Sequence, residues 1–200
     1  MKSAASAATG FGGSVLADPP GKRRTPKHPL AGNGPIVDRA RRALRMVAEE
    51  FGTVTDTDQT SVRVRTEDGI SLTLSYQPGN YLFSRVYGLT VSTRLPQGCG
   101  APNGVKLAHR SRPGGVFVPE RGASTSTSAV ERLNDATEPH LTRIDTVSAR
   151  ISERTFTLTP MGGSYVWVLI PPVFKATAFP KGEPRRIIEL IRAVRSLPSG

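Results

Sequence analysis

The spacing of hydrophobic residues divides this chain into helical and extended stretches. Apolar side chains recur every three or four residues over 36–51, 129–143 and 184–197, which predicts three helices with one apolar face each. Between the helices the period falls to two, most clearly over 62–76, where apolar and polar residues alternate. The pattern therefore predicts an α+β fold.

The alternation over residues 53–95 predicts an antiparallel meander. In its first hairpin, a three-residue loop pairs Val64 with Leu72, so that apolar residues share one face of the sheet. This register requires a left-handed conformation at Gly69, as in a bulged turn. The Gln-Pro-Gly-Asn sequence at 77–80 predicts the next turn.

A second meander is predicted in the last third of the chain. Val147, Ala149 and Ile151 alternate with polar residues at its start. Residues 164–170 form an uninterrupted apolar run, typical of a strand that is buried on both faces. We expect the segment 164–197, this strand with the helix after it, to organise the rest of the fold.

The two halves of the chain share an order, a helix and then several strands. This order is compatible with an internal structural duplication, although no repeat of individual residues supports it. The expected architecture is one antiparallel β-sheet with the N-terminal, middle and C-terminal helices on one side.

The ends and the middle of the chain lack such patterns. Residues 1–35 are rich in Ser, Ala, Gly and Pro, which predicts a disordered basic tail in front of a single domain over 36–200. This tail carries +4 of the net charge of +11. Within the domain, closely spaced glycines and prolines over 96–127 predict a long irregular loop with one short strand at 116–118.

The basic charge permits a nucleic acid, an anionic membrane surface or an acidic protein as a partner. A nucleic-acid-binding protein would use the basic tail and the helix over 36–51. The candidate phosphate contacts are Lys22, Arg23, Arg24, Lys27, Arg41, Arg42 and Arg45. Carboxylates four residues from two of the helix arginines also fit an ordinary solvated helix face.

The sequence predicts no catalytic, cofactor-binding or metal-binding site. Cys99 and His109 share a loop, but no third residue in a recognisable pattern orients them. The glycines over 98–106 lack the contiguous Gly-Lys-Ser/Thr of a phosphate loop. The three histidines, which include His28 and His140, lack the spacing of a zinc motif.

These observations favour a non-enzymatic binding or adaptor module in the cytoplasm, with a protein or a small apolar ligand as its partner. A nucleic-acid-associated basic protein is the alternative, and an enzyme built on the 96–127 loop comes third. We expect no cofactor. The longest apolar run is far below the ~20 residues of a membrane span, so no transmembrane segment is predicted.

Overall fold

The computed structural model describes residues 28–81, 84–109, 114–168 and 173–199. In these ranges the chain forms three helices and ten strands. In chain order they are α1 (Pro35–Glu49), β1 (Thr53–Thr57), β2 (Ser61–Arg65), β3 (Ser71–Tyr81), β4 (Ser84–Arg94), β5 (Val105–Ala108), β6 (Val116–Pro119), α2 (Thr127–Leu141), β7 (Thr146–Ser152), β8 (Thr155–Pro160), β9 (Tyr165–Val168), β10 (Val173–Ala176) and α3 (Glu183–Arg195). The predicted α+β class is confirmed.

The ten strands form one antiparallel sheet in the order β1-β2-β3-β4-β8-β7-β5-β6, with β9 and β10 as a further hairpin beside β4. Strand β4 pairs with β3 along one side and with both β8 and β9 along the other. The organising element is therefore β4, because it joins the two halves of the chain. Our expectation that 164–197 has this role was wrong, since β9 is a short strand beside one end of β4.

The first hairpin has the predicted register. Val64 lies opposite Leu72, and the turn is closed by the Thr66 N–H, which donates to the Ile70 carbonyl at 3.0 Å. Gly69 has a φ of +80°, the left-handed conformation that the turn requires.

The turn predicted at 77–80 does not form. Strand β3 continues through these residues, with Gln77 opposite Gly88 and Asn80 opposite Arg85. The propensity of a Pro-Gly-Asn sequence for a turn is local, and here pairing with the long strand β4 outweighs it.

Strand β7 departs from the predicted alternation at its first residues. Its register against β8 shifts between Thr146 and Ser148, as in a β-bulge. Val147 lies in this irregularity and is 52% exposed, whereas Ala149 and Ile151 are buried as predicted.

Residues 28–34, which we expected to belong to the tail, pack against the domain. Leu30 is 1% exposed, and its carbonyl oxygen accepts a hydrogen bond from Arg41 Nη2 at 2.6 Å. The preceding residues 1–27 lie outside the described residues. The predicted irregular loop over 96–127 also contains more structure than expected, because β5 and β6 pair there as a hairpin.

The three helices cover the same face of the sheet. Alternate residues of each long strand are buried, and they form one core with the apolar stripes of the helices. The apolar helix residues with the lowest exposure are Ala40, Leu44, Ala48, Leu133, Leu141, Ile187, Leu190, Ile191 and Val194. The two halves keep the expected order of a helix followed by strands, but their strands pair differently.

Candidate binding surface

The sheet face opposite the helices is polar and open to solvent over much of its area. We call it the outward face and define it by the strand residues that alternate with the core. Its described side chains on β2–β8 are Ser61, Arg63, Arg65, Ser71, Thr73, Ser75, Gln77, Thr90, Ser92, Arg94, Lys106, Ala108, Val116, Val118, Ser148, Arg150, Ser152, Thr155, Thr157 and Thr159. Ser and Thr predominate among them.

One row of this face runs straight across the sheet, because each of its residues is the cross-strand partner of the next. The row begins with the pair Arg63–Thr73 and ends with the pair Arg150–Lys106. In order its members are Arg63, Thr73, Ser92, Thr157, Arg150 and Lys106. The row crosses five inter-strand steps of about 4.8 Å, which is about 24 Å in total.

The charge of the outward face is mainly positive. The cations among its described side chains on β2–β8 are Arg63, Arg65, Arg94, Lys106 and Arg150, and all five are exposed. The carboxylate of Asp56, at the edge strand β1, lies 3.2 Å from Arg63 Nη1. The other four cations form no ion pair with the described part of the chain.

The hydroxyl groups on this face differ in their availability to a partner, since Thr90 is only 7% exposed and Ser61 Oγ donates to Asp58 Oδ2 at 2.8 Å. Ser92 Oγ donates to the Thr73 carbonyl at 3.2 Å, and Ser75 Oγ donates to the Thr60 carbonyl at 2.9 Å. In contrast, the hydroxyls of Thr155 and Thr157 have no hydrogen-bond partner within the ranges that the structure describes. The face therefore presents donors and positive charge together.

The basic tail joins the domain at one corner of the outward face. His28 Nε2 lies 3.0 Å from Ser75 Oγ. Burial lowers the pKa of His28, and the charge of Asp58 opposes this change only in part. A mostly neutral imidazole fits this contact, and Lys27 precedes it in the sequence.

The candidate nucleic-acid-binding arginines on α1 differ from one another in their surroundings. Arg41 lies over the preceding loop, and its guanidinium donates to the carbonyls of Leu30, Gly32 and Gln59 and to Asp38 Oδ1. Arg41 thus fastens residues 28–32 to the helix.

The other two helix candidates are exposed. Arg45 Nε lies 3.5 Å from Glu49 Oε1, at the expected spacing of four residues. Arg42 is exposed, and Asp38 pairs with Arg41 rather than with it. Both belong to the helical side of the domain, away from the outward face. The tail candidates Lys22, Arg23, Arg24 and Lys27 lie outside the described residues.

The described residues of the 96–127 segment do not converge on one site. Cys99 Sγ donates to the Val194 carbonyl at 3.3 Å, whereas His109 Nε2 lies 3.0 Å from the Val147 carbonyl. Gly104 leads into strand β5 rather than into a helix, so a phosphate loop does not form there. The structure therefore keeps the thiol and the imidazole on separate contacts.

A cleft of about 460 Å³ lies between α1, the β2–β3 turn and α3. Phe51 and Ile188 contribute apolar surface to it, but five carboxylates and two arginines also line it. The charged lining residues are Glu49, Glu50, Glu67, Asp68, Glu189, Arg185 and Arg192. Such a lining does not favour the small apolar ligand that was among the partners expected from the sequence.

An ion pair closes one wall of this cleft. Arg192 Nη2 lies 2.8 Å from Asp68 Oδ2, and Arg192 Nε lies 2.9 Å from the same atom. The hydrogen bond from Thr66 and that from Arg192 lower the pKa of Asp68. The pair links α3 to the β2–β3 turn.

Neither a metal-binding cluster nor a membrane-spanning helix is present in the ranges that the structure describes. No group of three or more His, Cys, Asp or Glu residues is arranged there to hold a metal ion. None of the described helices has the length and apolar character needed to cross a membrane.

Comparison with known proteins gives one match. A family model with the description "Protein of unknown function (DUF3156)" matches residues 49–197. The chain belongs to the DUF3156 family. No curated protein and no solved structure matches it. All the residues that define the outward face lie inside the DUF3156 match, whereas the tail precedes it and α1 overlaps it only at Glu49.

The residues of the outward face were not among the candidate binding residues predicted from the sequence. Its signal was present, since Arg63 and Arg65 alternate with core valines and Thr155, Thr157 and Thr159 alternate with Phe and Leu. The alternation places each residue on a face, but it does not say which strands are neighbours. The cross-strand pairing was needed to bring the basic residues of β2, β5 and β7 into one row.

Proposed function

We propose that this DUF3156 protein is a non-enzymatic binding module that uses the outward face of its sheet to bind an anionic partner. The single observation that carries this proposal is the row from Arg63 to Lys106, which combines hydroxyl donors with cations. Soluble proteins usually intersperse both signs of charge on a surface. Within the described residues, β2–β8 of this face instead carry five cations, against the carboxylates of Asp56 and Asp58 beside Arg63 and Ser61.

The exposure of the cations on this surface also supports binding over catalysis. Catalytic sites are concave, and they bring titratable groups together in places that exclude water. The outward face is a broad strand surface with exposed guanidinium groups. Such a surface fits an extended partner better than a small substrate.

The partner types expected from the sequence differ in the support that they receive. An apolar ligand has little, because the cleft beside α3 is lined mainly by charged residues. A partner with anionic groups has more, because exposed arginines bind carboxylates and phosphates through paired N–H groups.

Retention on immobilised heparin tests the location of the binding surface. The variant Arg65→Glu/Arg150→Glu reverses two charges on the outward face, and Arg42→Glu/Arg45→Glu makes the same change in net charge on α1. We expect the outward-face variant to elute at a clearly lower salt concentration than the α1 variant. Equal elution of the two variants would refute the proposal, provided that both melt like the unaltered protein.

A further inference from the structure

We infer that the partner of the outward face is double-stranded nucleic acid, bound through its phosphate backbone and without sequence selectivity. This inference rests on the proposed function and narrows it to one class of partner. Three observations carry it, namely the geometry of the basic row, the residue types beside it and the place where the tail joins the domain.

The geometry of the row fits a rigid polyanion. The row spans about 24 Å across the strands, a length over which each strand of a duplex presents about seven phosphates. A sheet face and a duplex are both ordered before they meet, so little conformational entropy is lost on binding. A flexible acidic peptide would lose more, because its backbone must become ordered on the face.

The residue types of the outward face correspond to those that contact phosphate. Arginine, lysine, serine and threonine are among the residues that donate hydrogen bonds to the phosphates and sugars of DNA. Four of the five cations are arginines, whose planar donors match phosphate oxygens in pairs. Thr73, Thr155 and Thr157 lie between them as further donors.

The described part of the outward face on β2–β8 contains no aromatic side chain. Proteins that bind single strands typically stack bases on exposed aromatic rings. Tyr76 of β3 and Tyr87 of β4 point into the core and are 0% and 6% exposed. A partner with its bases already stacked inside a duplex therefore fits better than a single strand.

The first described residue of the chain lies against the same surface. The contact from His28 to Ser75 fixes this residue beside β3. The basic residues Lys22, Arg23, Arg24 and Lys27 lie within six residues of His28 in the sequence. Their charge adds to the electrostatic attraction of the protein for a duplex.

The salt dependence of binding gives a quantitative test on the full chain. The measurement is fluorescence anisotropy with a labelled duplex of about 20 base pairs, longer than the face can cover. Each phosphate contact contributes about −0.9 to the slope of log K against log salt concentration. We expect Arg94→Gln/Arg150→Gln to reduce the steepness of this slope by about two and to weaken binding at every salt concentration.

Matched variants separate location from net charge. Arg42→Gln/Arg45→Gln also removes two positive charges, but from α1, and we expect it to leave the slope nearly unchanged. Replacement of Lys22, Arg23, Arg24 and Lys27 by glutamine should reduce the steepness of the slope. Addition of Arg94→Gln/Arg150→Gln to this variant should reduce the steepness further. If the α1 variant changes the slope as much as the outward-face variant, the inference is overturned.

Three competing ligands complete the test. A second duplex of different sequence should bind equally, and a single strand of the same length should bind more weakly. Polyglutamate of matched charge should also bind more weakly than the duplex. A tighter single strand, or polyglutamate as tight as the duplex, would overturn the inference. In either case heparin retention that depends on the outward face would leave the proposed function standing, so the two failures are distinguishable.

Discussion

The side-chain amide of Asn134 bridges the backbone of Phe117. Asn134 Oδ1 accepts the Phe117 N–H at 2.7 Å, and Asn134 Nδ2 donates to the Phe117 carbonyl at 3.0 Å. Because β6 is an edge strand of the sheet, these backbone groups would otherwise be open to another strand. Helix α2 thus closes this edge of the sheet with one side chain.

Replacement of Asn134 by alanine should destabilise the fold and expose the edge. Loss of both hydrogen bonds leaves a half-buried backbone N–H without its partner, which costs about 1–3 kcal/mol of unfolding free energy. Urea denaturation measures this loss, and light scattering measures any association through β6. The exposed Asn103→Ala is the control and should change neither quantity. A monomeric Asn134→Ala protein of unaltered stability would contradict the role of this amide.

Glu183 should make the stability of the protein depend on pH. This residue is 1% exposed; its Oε1 accepts the Asp145 N–H at 3.3 Å, and its Oε2 has no hydrogen-bond partner within the described ranges. Burial raises the pKa of the Glu183 carboxyl above its ordinary value. At a pH between the ordinary pKa of glutamate and the raised pKa, the folded state therefore retains a proton on Glu183 that the unfolded state has already lost.

The sign of the effect follows from this difference in protonation. As the pH rises above the ordinary pKa of glutamate, the contribution of Glu183 to stability decreases until the folded state also loses the proton. We expect Glu183→Gln to raise the melting temperature at neutral pH and to flatten its pH dependence. The exposed Glu131→Gln should change neither. A lower melting temperature for Glu183→Gln at neutral pH would show that the carboxylate is needed.

Ile188 and Ile191 of α3 should differ in their contributions to stability. Ile191 is fully buried, whereas Ile188 is only partly buried at the side of the core. Ile191→Ala should cost about 2–5 kcal/mol, because it leaves a cavity in addition to the lost burial. Ile188→Ala should cost clearly less. Chemical denaturation of both variants checks this order, and equal losses would mean that α3 does not pack as described.

Gly69 should tolerate asparagine better than valine. A Cβ at this position would meet no atom within 4 Å, so the effect of a substitution comes from the φ of +80° alone. Valine resists this conformation, and we expect Gly69→Val to lose about 1 kcal/mol or more. Asparagine adopts it more readily and should lose less. Thermal unfolding of the two variants measures the difference, and equal melting temperatures would contradict the strain argument.

Local patterns were sufficient for the elements whose apolar residues recur with the regular period of a strand or a helix. The hairpin with Gly69 at its turn, the apolar stripe of α3 and the buried face of Leu72, Leu74 and Tyr76 could all be predicted from the chain. In each case the period of the side chains and the chemistry of the turn point to the same structure. The sequence therefore determined the class of the fold and most of the core.

The tertiary structure decided which strands are neighbours. The turn expected at 77–80 became part of β3, because the pairing with β4 forms more hydrogen bonds than a local turn would. Val147 moved out of the core, because a bulge in β7 shifts the register there. Such outcomes depend on residues that are distant in the sequence.

The candidate binding surface shows the same division. From the sequence alone, Arg63, Arg150 and Lys106 are separate basic residues on predicted strands or in a predicted loop. They form one row only because β2, β3, β4, β8, β7 and β5 lie side by side in this order. The amino-acid pattern determined that Arg63 and Arg150 point away from the core, since the period of a strand is two residues. The order of the strands, which arises from contacts across the whole chain, decided that they meet on one surface.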